Sequence, residues 1–264
     1  MPAILLLTGS LLQTAAIQVA GSPLHHGGAS YPGGPPKVPM SLVCFRSTDG
    51  GYNWAFRSFI VKHSDMPWSY FGPNEHSEAL LADGKTILVV MRPDSDSPCP
   101  GGPHYKHYYQ TYSTDSGLTW DEARPIVGTG CVRPKLLKLK DGPLLLTGGR
   151  LCKELEPGQS CLPTASGSSG IFLWVNRDGQ ADLVGNRNGS EWTRYCVSAE
   201  HNALWKGDAS LRFTAASTSQ SYNSLVPLGP RSAGLFYTLG WSVPPLANFM
   251  MRIDFDNEEH EELK

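Results

Sequence analysis

Two eight-residue stretches, STDGGYNW at 47–54 and STDSGLTW at 113–120, share the pattern Ser-Thr-Asp-x-Gly-x-x-Trp. A recurrence of this kind constrains the fold before any other feature, because self-similarity along a chain is the mark of repeat architectures. The likeness extends outward from each box. Ahead of the second box stands ALLADGKTILVVMR, and after it KLLKLKDGPLLLTGGR; each is a pair of strand-like runs around an Asp-Gly turn. In both, an arginine follows the turn glycine by eight positions, Gly84 to Arg92 and Gly142 to Arg150. A fainter copy, LLLTGSLLQTAAI, precedes the first box. A degraded third box reads VNRDGQ at 175–180, and YNSLVPLGPRSAGLFYTL repeats the strand, turn, strand pattern near the end.

The repeating unit is therefore an inner hairpin, a third strand entering the box and a fourth leaving from its Trp. Four-stranded units repeated radially make a β-propeller, and about four such units can be counted. Within a box, Asp followed by Gly suits a tight turn: the carboxylate accepts backbone N–H groups, Gly takes positive φ, and the Trp ring packs between strands. That chemistry accounts for Asp49, Trp54, Asp115 and Trp120 as supports of the fold rather than as catalysts. Gly and Pro together make 49 residues, 28 and 21, a density that suits short strands joined by turns. No helix-period run of useful length is evident. The reading is an all-β propeller over 1–255 and an acidic, solvated tail, DNEEHEELK, at 256–264.

Net charge is −2 with no basic stripe, which argues against electrostatic binding to nucleic acid. No stretch approaches the ~20 apolar residues of a membrane span, so no transmembrane segment is expected. Two readings stand for the opening, MPAILLLTGSLLQTAAIQVAG. It is apolar and ends in small residues like an export signal, yet it lacks a positive start and is interrupted by Thr8, Gly9, Ser10 and Gln13. The other reading is a strand, a Gly-Ser turn and a second strand. The six cysteines contain no CxxC pair, which argues against zinc, while Cys152 and Cys161 bracket a polar loop and suit a disulfide in an exported protein. Asn188 opens a formal glycosylation sequon. His25, His26, His104 and His107 read as loop residues, and neither metal nor cofactor is expected. Between an extracellular or lysosomal site and the cytoplasm, the former is favoured.

With these residues in view the chain resembles the sialidase (neuraminidase) family, whose six-bladed propellers carry such Asp-boxes, or BNR repeats. In that family a glutamate precedes a strand, an Asp-Gly turn and a strand ending in arginine. NEHSEALLADGKTILVVMR supplies Glu75, Asp83-Gly84 and Arg92 in that order. The next blade's inner hairpin offers a second arginine, here Arg150. A late tyrosine-bearing strand, turn and second tyrosine-bearing strand correspond to Tyr222 and Tyr237. The resemblance implies a six-bladed sialidase-type propeller, incomplete in this chain. It implies an exo-α-sialidase acting on terminal sialic acids of glycoproteins, glycolipids or oligosaccharides, with Tyr222 as nucleophile, Glu75 as its base, and Arg92 and Arg150 on the substrate carboxylate.

The chemistry explains why those residue types belong together. Sialic acid carries its carboxylate on the anomeric carbon, so an anionic nucleophile would meet like charge at close range. A neutral phenol avoids that, and tyrosine nucleophiles are the sialidase exception to the two-carboxylate rule of glycosidases. A phenol with a pKa of about 10 needs a nearby base. Guanidinium groups remain charged and grip a carboxylate bidentately. Each assignment has a plainer rival. Arg92 and Arg150 suit surface ion pairs at strand ends, Tyr222 suits ordinary packing, and Glu78 competes with Glu75 from the other side of a strand. Arg133 and Arg194 stand in reserve for the arginine cluster. The family's first arginine, in an Arg-Ile-Pro-like strand, and its acid aspartate have no counterpart: MPAI lacks the Arg, and residues 1–48 contain no Asp. A chain that begins partway through the propeller and a diverged, inactive relative are both compatible with this. Three function classes follow: a sialidase or a transferase of the same mechanism, a non-catalytic propeller that binds glycans or proteins, and a two-carboxylate hydrolase of neutral glycans.

Overall fold

The computed structural model describes residues 4–6, 9–19, 39–95, 107–130, 132–149, 170–177, 192–213, 222–239, 247–256 and 261–263. These form four antiparallel sheets of four strands, each built from consecutive strands in chain order. Blade 1 comprises β1 (Ile4–Leu5), β2 (Leu11–Gln18), β3 (Met40–Ser47) and β4 (Ala55–Val61). Blade 2 comprises β5 (Ser69–Leu80), β6 (Ile87–Ser95), β7 (Tyr109–Ser113) and β8 (Arg124–Pro125). Blade 3 is β9 (Val132–Lys138), β10 (Leu144–Gly149), β11 (Ile171–Asn176) and β12 (Thr193–Cys196). Blade 4 is β13 (Ser224–Gly229), β14 (Ser232–Leu239), β15 (Ala247–Phe255) and β16 (Glu261–Leu263). The first strands of blades 2, 3 and 4 neighbour one another, β5 against β9 and β9 against β13, and so form the inner wall.

The core lies in the seams between blades. In β6, Leu88 and Val90 face blade 3 while Ile87, Val89 and Met91 face blade 1. In β10 and β11, Leu144, Leu146, Phe172 and Trp174 pack toward blade 2, and Leu145, Ile171, Leu173 and Val175 toward blade 4. Period-2 alternation thus feeds two cores at once, which is why these strands read as unbroken apolar runs.

The two boxes occupy equivalent turns between the third and fourth strands of blades 1 and 2. Ser47 and Ser113 each donate to the following Asp at 2.8 Å and accept the N–H of Gly51 and Gly117 at 2.9 and 2.8 Å. Asp49 accepts the N–H of Asn53, and Asp115 that of Thr119, both at 2.9 Å. Gly51 and Gly117 take φ of +95° and +75°. The Trp residues diverge: Trp54 donates to Gly51 within its own turn, whereas Trp120 donates to Ser58 of blade 1, which in turn donates to the Gly117 carbonyl. The second box is therefore also a staple between blades. A side chain at Gly117 would run into the Cys44 sulfur of blade 1.

At Asp49 the Asn53 amide is foremost in lowering the carboxyl pKa to about 2. At Asp115 burial pushes upward, but the Thr119 hydroxyl and amide override it, again to about 2. Folded pKa values below the ordinary 3.8 mean that these carboxylates stabilise the turns above that pH and lose their contribution as pH falls through about 2. The amide resonances of Asn53 and Thr119 should stay constant from neutral pH to about 4 and then move with midpoints near 2. Midpoints near 3.8 would mean that the carboxylate bonds are not formed.

Three features were not read from the sequence. Among the described residues one α-helix is present, α1 (Val197–Leu204), capped by the Cys196 sulfur and docked through His201, which contacts the Tyr237 hydroxyl at 2.9 Å. The acidic end supplies β16, which pairs with β15 through Ile253↔Leu263, Asp254↔Glu262 and Phe255↔Glu261. Cys196 is disulfide-bonded and Cys44 is a free, buried thiol. Cys152, Cys161 and Asn188 lie outside the described residues, as does the 178–180 part of the third box.

Candidate active site

Two irregularities in the inner strands aim the polar residues. In β5 the register passes from Pro73↔Pro93 to His76↔Met91, so Asn74 and Glu75 together oppose Arg92. In β9 it passes from Val132↔Gly149 to Lys135↔Thr147, so Arg133 and Pro134 oppose Gly148. Such bulges bend a strand and redirect a side chain. Pro134, inside β9, cannot donate to the ladder, and the irregularity falls where its missing N–H is tolerated. Arg133 takes φ of +39°, uncommon for a residue with a side chain.

The bulges bring the inner strands of blades 2, 3 and 4 to one carboxylate. Glu75 accepts the Tyr222 hydroxyl on Oε1 at 2.9 Å. Its Oε2 accepts Arg92 Nη1 at 2.7 Å and the Arg133 backbone N–H at 2.9 Å. The Arg133 guanidinium lies over the Tyr222 ring, 4.7 Å from its centroid, within cation–π range. Tyr222 stands two residues ahead of β13 and is 38% exposed, so its phenol is accessible.

The electrostatics follow from these contacts. Burial works to raise the Glu75 pKa, but the Arg92 charge and hydrogen bond, the Arg133 N–H and the Tyr222 hydroxyl hold it below the ordinary carboxylate value. Burial, then the Glu75 charge and hydrogen bond, raise the Tyr222 pKa against the pull of Arg92 and Arg133. The resting pair is therefore a neutral phenol donating to an ionised carboxylate. From such a pair the proton can pass to the carboxylate as the phenol oxygen bonds to an electrophile and its acidity rises, a proton transfer coupled to bond formation.

Of the residues expected from sequence, Glu75, Arg92 and Tyr222 meet in this cluster, and Arg150 lies outside the described residues. Arg133, held in reserve, enters through both its N–H and its guanidinium. Arg194 stands on β12, at the outer edge of its sheet, over the Phe172 ring. Glu78 turns toward blade 1 and accepts the Thr14 hydroxyl at 2.9 Å. A cleft of about 800 Å³ opens elsewhere, between blades 1 and 2. Its rings serve the seam: Trp68 packs on Tyr109 at 5.2 Å, and Trp120 is tied to Ser58.

No family model matches the chain, and no curated protein matches it in sequence. Solved structures do. A protein of unknown function from Dyadobacter fermentans aligns with 94% of this chain and 50% of its own, at 14% identity and a TM-score of 0.57. A point mutant of the NanB sialidase from Streptococcus pneumoniae aligns with 91% of this chain and 27% of its own, at 14% identity and a TM-score of 0.52. An α-L-arabinanase from Penicillium chrysogenum, complexed with arabinobiose, aligns with 99% and 64%, at 12% identity and a TM-score of 0.54. The chain thus spans between about a quarter and two thirds of the length of these structures. At such identities the likeness speaks to architecture, and the architecture is the β-propeller fold found in glycoside hydrolases.

Proposed function

We propose that the protein belongs to a sialidase-type glycosidase, with Tyr222 attacking the anomeric carbon of a terminal sialic acid and Glu75 taking the phenolic proton. The observation that carries this reading is the 2.9 Å bond from the Tyr222 hydroxyl to a Glu75 carboxylate kept ionised by Arg92 and the Arg133 amide. A glycosidase of neutral sugars has no need of an accessible phenol seated on its base. The positive charges of Arg92 and Arg133 suit an anionic sugar, with Arg150 proposed as a further carboxylate ligand. The substrates proposed are sialylated glycoproteins, glycolipids and oligosaccharides. The boxes carry no chemistry in this scheme; they are the Asp-boxes that hold the blades.

A second reading rests on Glu78. Burial raises its pKa while that of Glu75 is lowered, and two carboxyls pushed apart in this way are the pattern of an acid and its partner in two-carboxylate glycosidases. Against it, Glu78 faces Thr14 on the opposite side of β5 from Tyr222.

The two readings separate on paired aryl glycosides with the same leaving group, an α-sialoside and an α-L-arabinofuranoside. An activated aryl group needs little protonation, so it reveals turnover even where general acid help is weak. The sialoside alone should be hydrolysed, and Glu78→Gln should leave that rate within a few-fold. Hydrolysis of the arabinofuranoside alone, abolished by Glu78→Gln, would support the second reading.

A further inference from the structure

We propose that Tyr108 is a positioning residue that holds Glu75 against Tyr222 through a single backbone peptide unit; this rests on the reading of Glu75 as the base. Tyr108 precedes β7 and is fully buried. Its hydroxyl donates to the Val132 carbonyl at 2.6 Å. The same peptide unit ends in the Arg133 N–H, which donates to Glu75 Oε2 at 2.9 Å. A trans peptide is planar, so anchoring its oxygen fixes the direction of its N–H. A carbonyl that accepts a strong hydrogen bond also polarises the amide, making the N–H a better donor.

Other features of the site fit this role. Arg133 has a conformation that side-chain-bearing residues rarely adopt, so the Val132–Arg133 peptide needs an external hold. Gly148, opposite the bulge, leaves the space the hydroxyl occupies: a Cβ there would coincide with the Tyr108 oxygen and press on the Val132 carbonyl. The Tyr108 ring is fixed separately, edge-on to Trp174 at 5.9 Å, so removing the oxygen leaves the ring seated. The hydroxyl, the bulge and the missing side chain at 148 form one device that delivers an N–H to the base.

The test is the acid titration of Glu75, followed through its carboxyl carbon by NMR in the intact protein, together with the Arg133 amide resonance. The charged or titratable groups that bear on Glu75 are Arg92, Arg133, Lys135 and Tyr222, all unchanged in Tyr108→Phe. Losing the anchor weakens one donor to the carboxylate, so the Tyr108→Phe midpoint should rise toward the ordinary carboxylate value and the Arg133 amide should shift. A 3-fluorotyrosine at position 108 keeps the hydroxyl as a stronger donor and should move the midpoint the other way, a sign that lost packing would not give. On an aryl sialoside, kcat of Tyr108→Phe should fall about 10-fold with KM nearly constant, since the base and not the sugar contacts is disturbed. Glu75 and Arg133 signals unchanged in both variants would overturn the proposal. Shifted signals in a protein inert toward sialosides would uphold the positioning role and count against the sialidase reading alone.

Discussion

Replacing Tyr222 with Phe is expected to lower turnover of an aryl sialoside by about 10³-fold or more, with KM changed only a few-fold, because the reacting oxygen is lost while the ring remains. The fold should tolerate the change. Tyr222 is 38% exposed, and its hydroxyl donates to Glu75 Oε1, while Oε2 keeps both Arg92 and the Arg133 amide. The Arg133 guanidinium can still lie on the phenyl ring, so the positive charge beside it stays in place. A binding measurement with free sialic acid should therefore differ little between the two proteins. Parallel loss of binding and turnover would mean that the phenol orders the pocket instead of reacting. Undiminished turnover would remove Tyr222 from the mechanism.

The largest effect on stability is expected from Trp174→Ala, about 3–5 kcal/mol, the usual cost of emptying the place of a buried Trp. Trp174 is 1% exposed and closes the seam between blades 2 and 3. Its ring meets Phe172 of its own strand at 5.7 Å and Tyr108 of blade 2 at 5.9 Å, and its Nε1 donates to the Gly128 carbonyl. Loss of this ring withdraws the wall behind Tyr108 and so reaches Glu75 as well. Denaturant unfolding of the two proteins measures the difference. Tyr52→Ala serves as the contrast: Tyr52 is 90% exposed, and its truncation should stay within about 0.5 kcal/mol, as surface substitutions do. Equal losses at the two sites would contradict a core placed in the blade seams.

What could be seen in the sequence was what local chemistry encodes. The boxes announced their turns because Ser, Asp and Gly satisfy one another within five residues, as Ser47, Asp49 and Gly51 do. The turns joining β5 to β6, β9 to β10 and β13 to β14 were visible as Asp-Gly or Gly-Pro punctuation between the apolar runs at 79–92, 135–150 and 222–239. Glu75, Arg92 and Tyr222 stood out through a family likeness and not through any local signal, since 147 residues separate the Tyr222 hydroxyl from Glu75. Tyr108 and the Arg133 amide were not legible at all. A backbone N–H carries no mark in the sequence, and a buried tyrosine looks the same whether it ends on water or on a particular carbonyl. The helix at 197–204 was missed because eight residues give too short a period and its cap is a cysteine, a residue outside the common capping set. Its hold comes from His201 against Tyr237, a tertiary contact.

The central claim, that Tyr222 bonds to the sugar, is tested most directly by trapping that bond. A sialosyl fluoride bearing a second fluorine beside the anomeric carbon slows breakdown of a glycosyl-enzyme more than its formation, so the intermediate accumulates. Incubation of the protein with this reagent, proteolysis and peptide mass mapping should then find one sialosyl group on the peptide containing Tyr222, attached to its phenolic oxygen, and none in Tyr222→Phe. A label on Glu75 or another carboxylate, or an unlabelled protein that nevertheless hydrolyses aryl sialosides, would contradict the account.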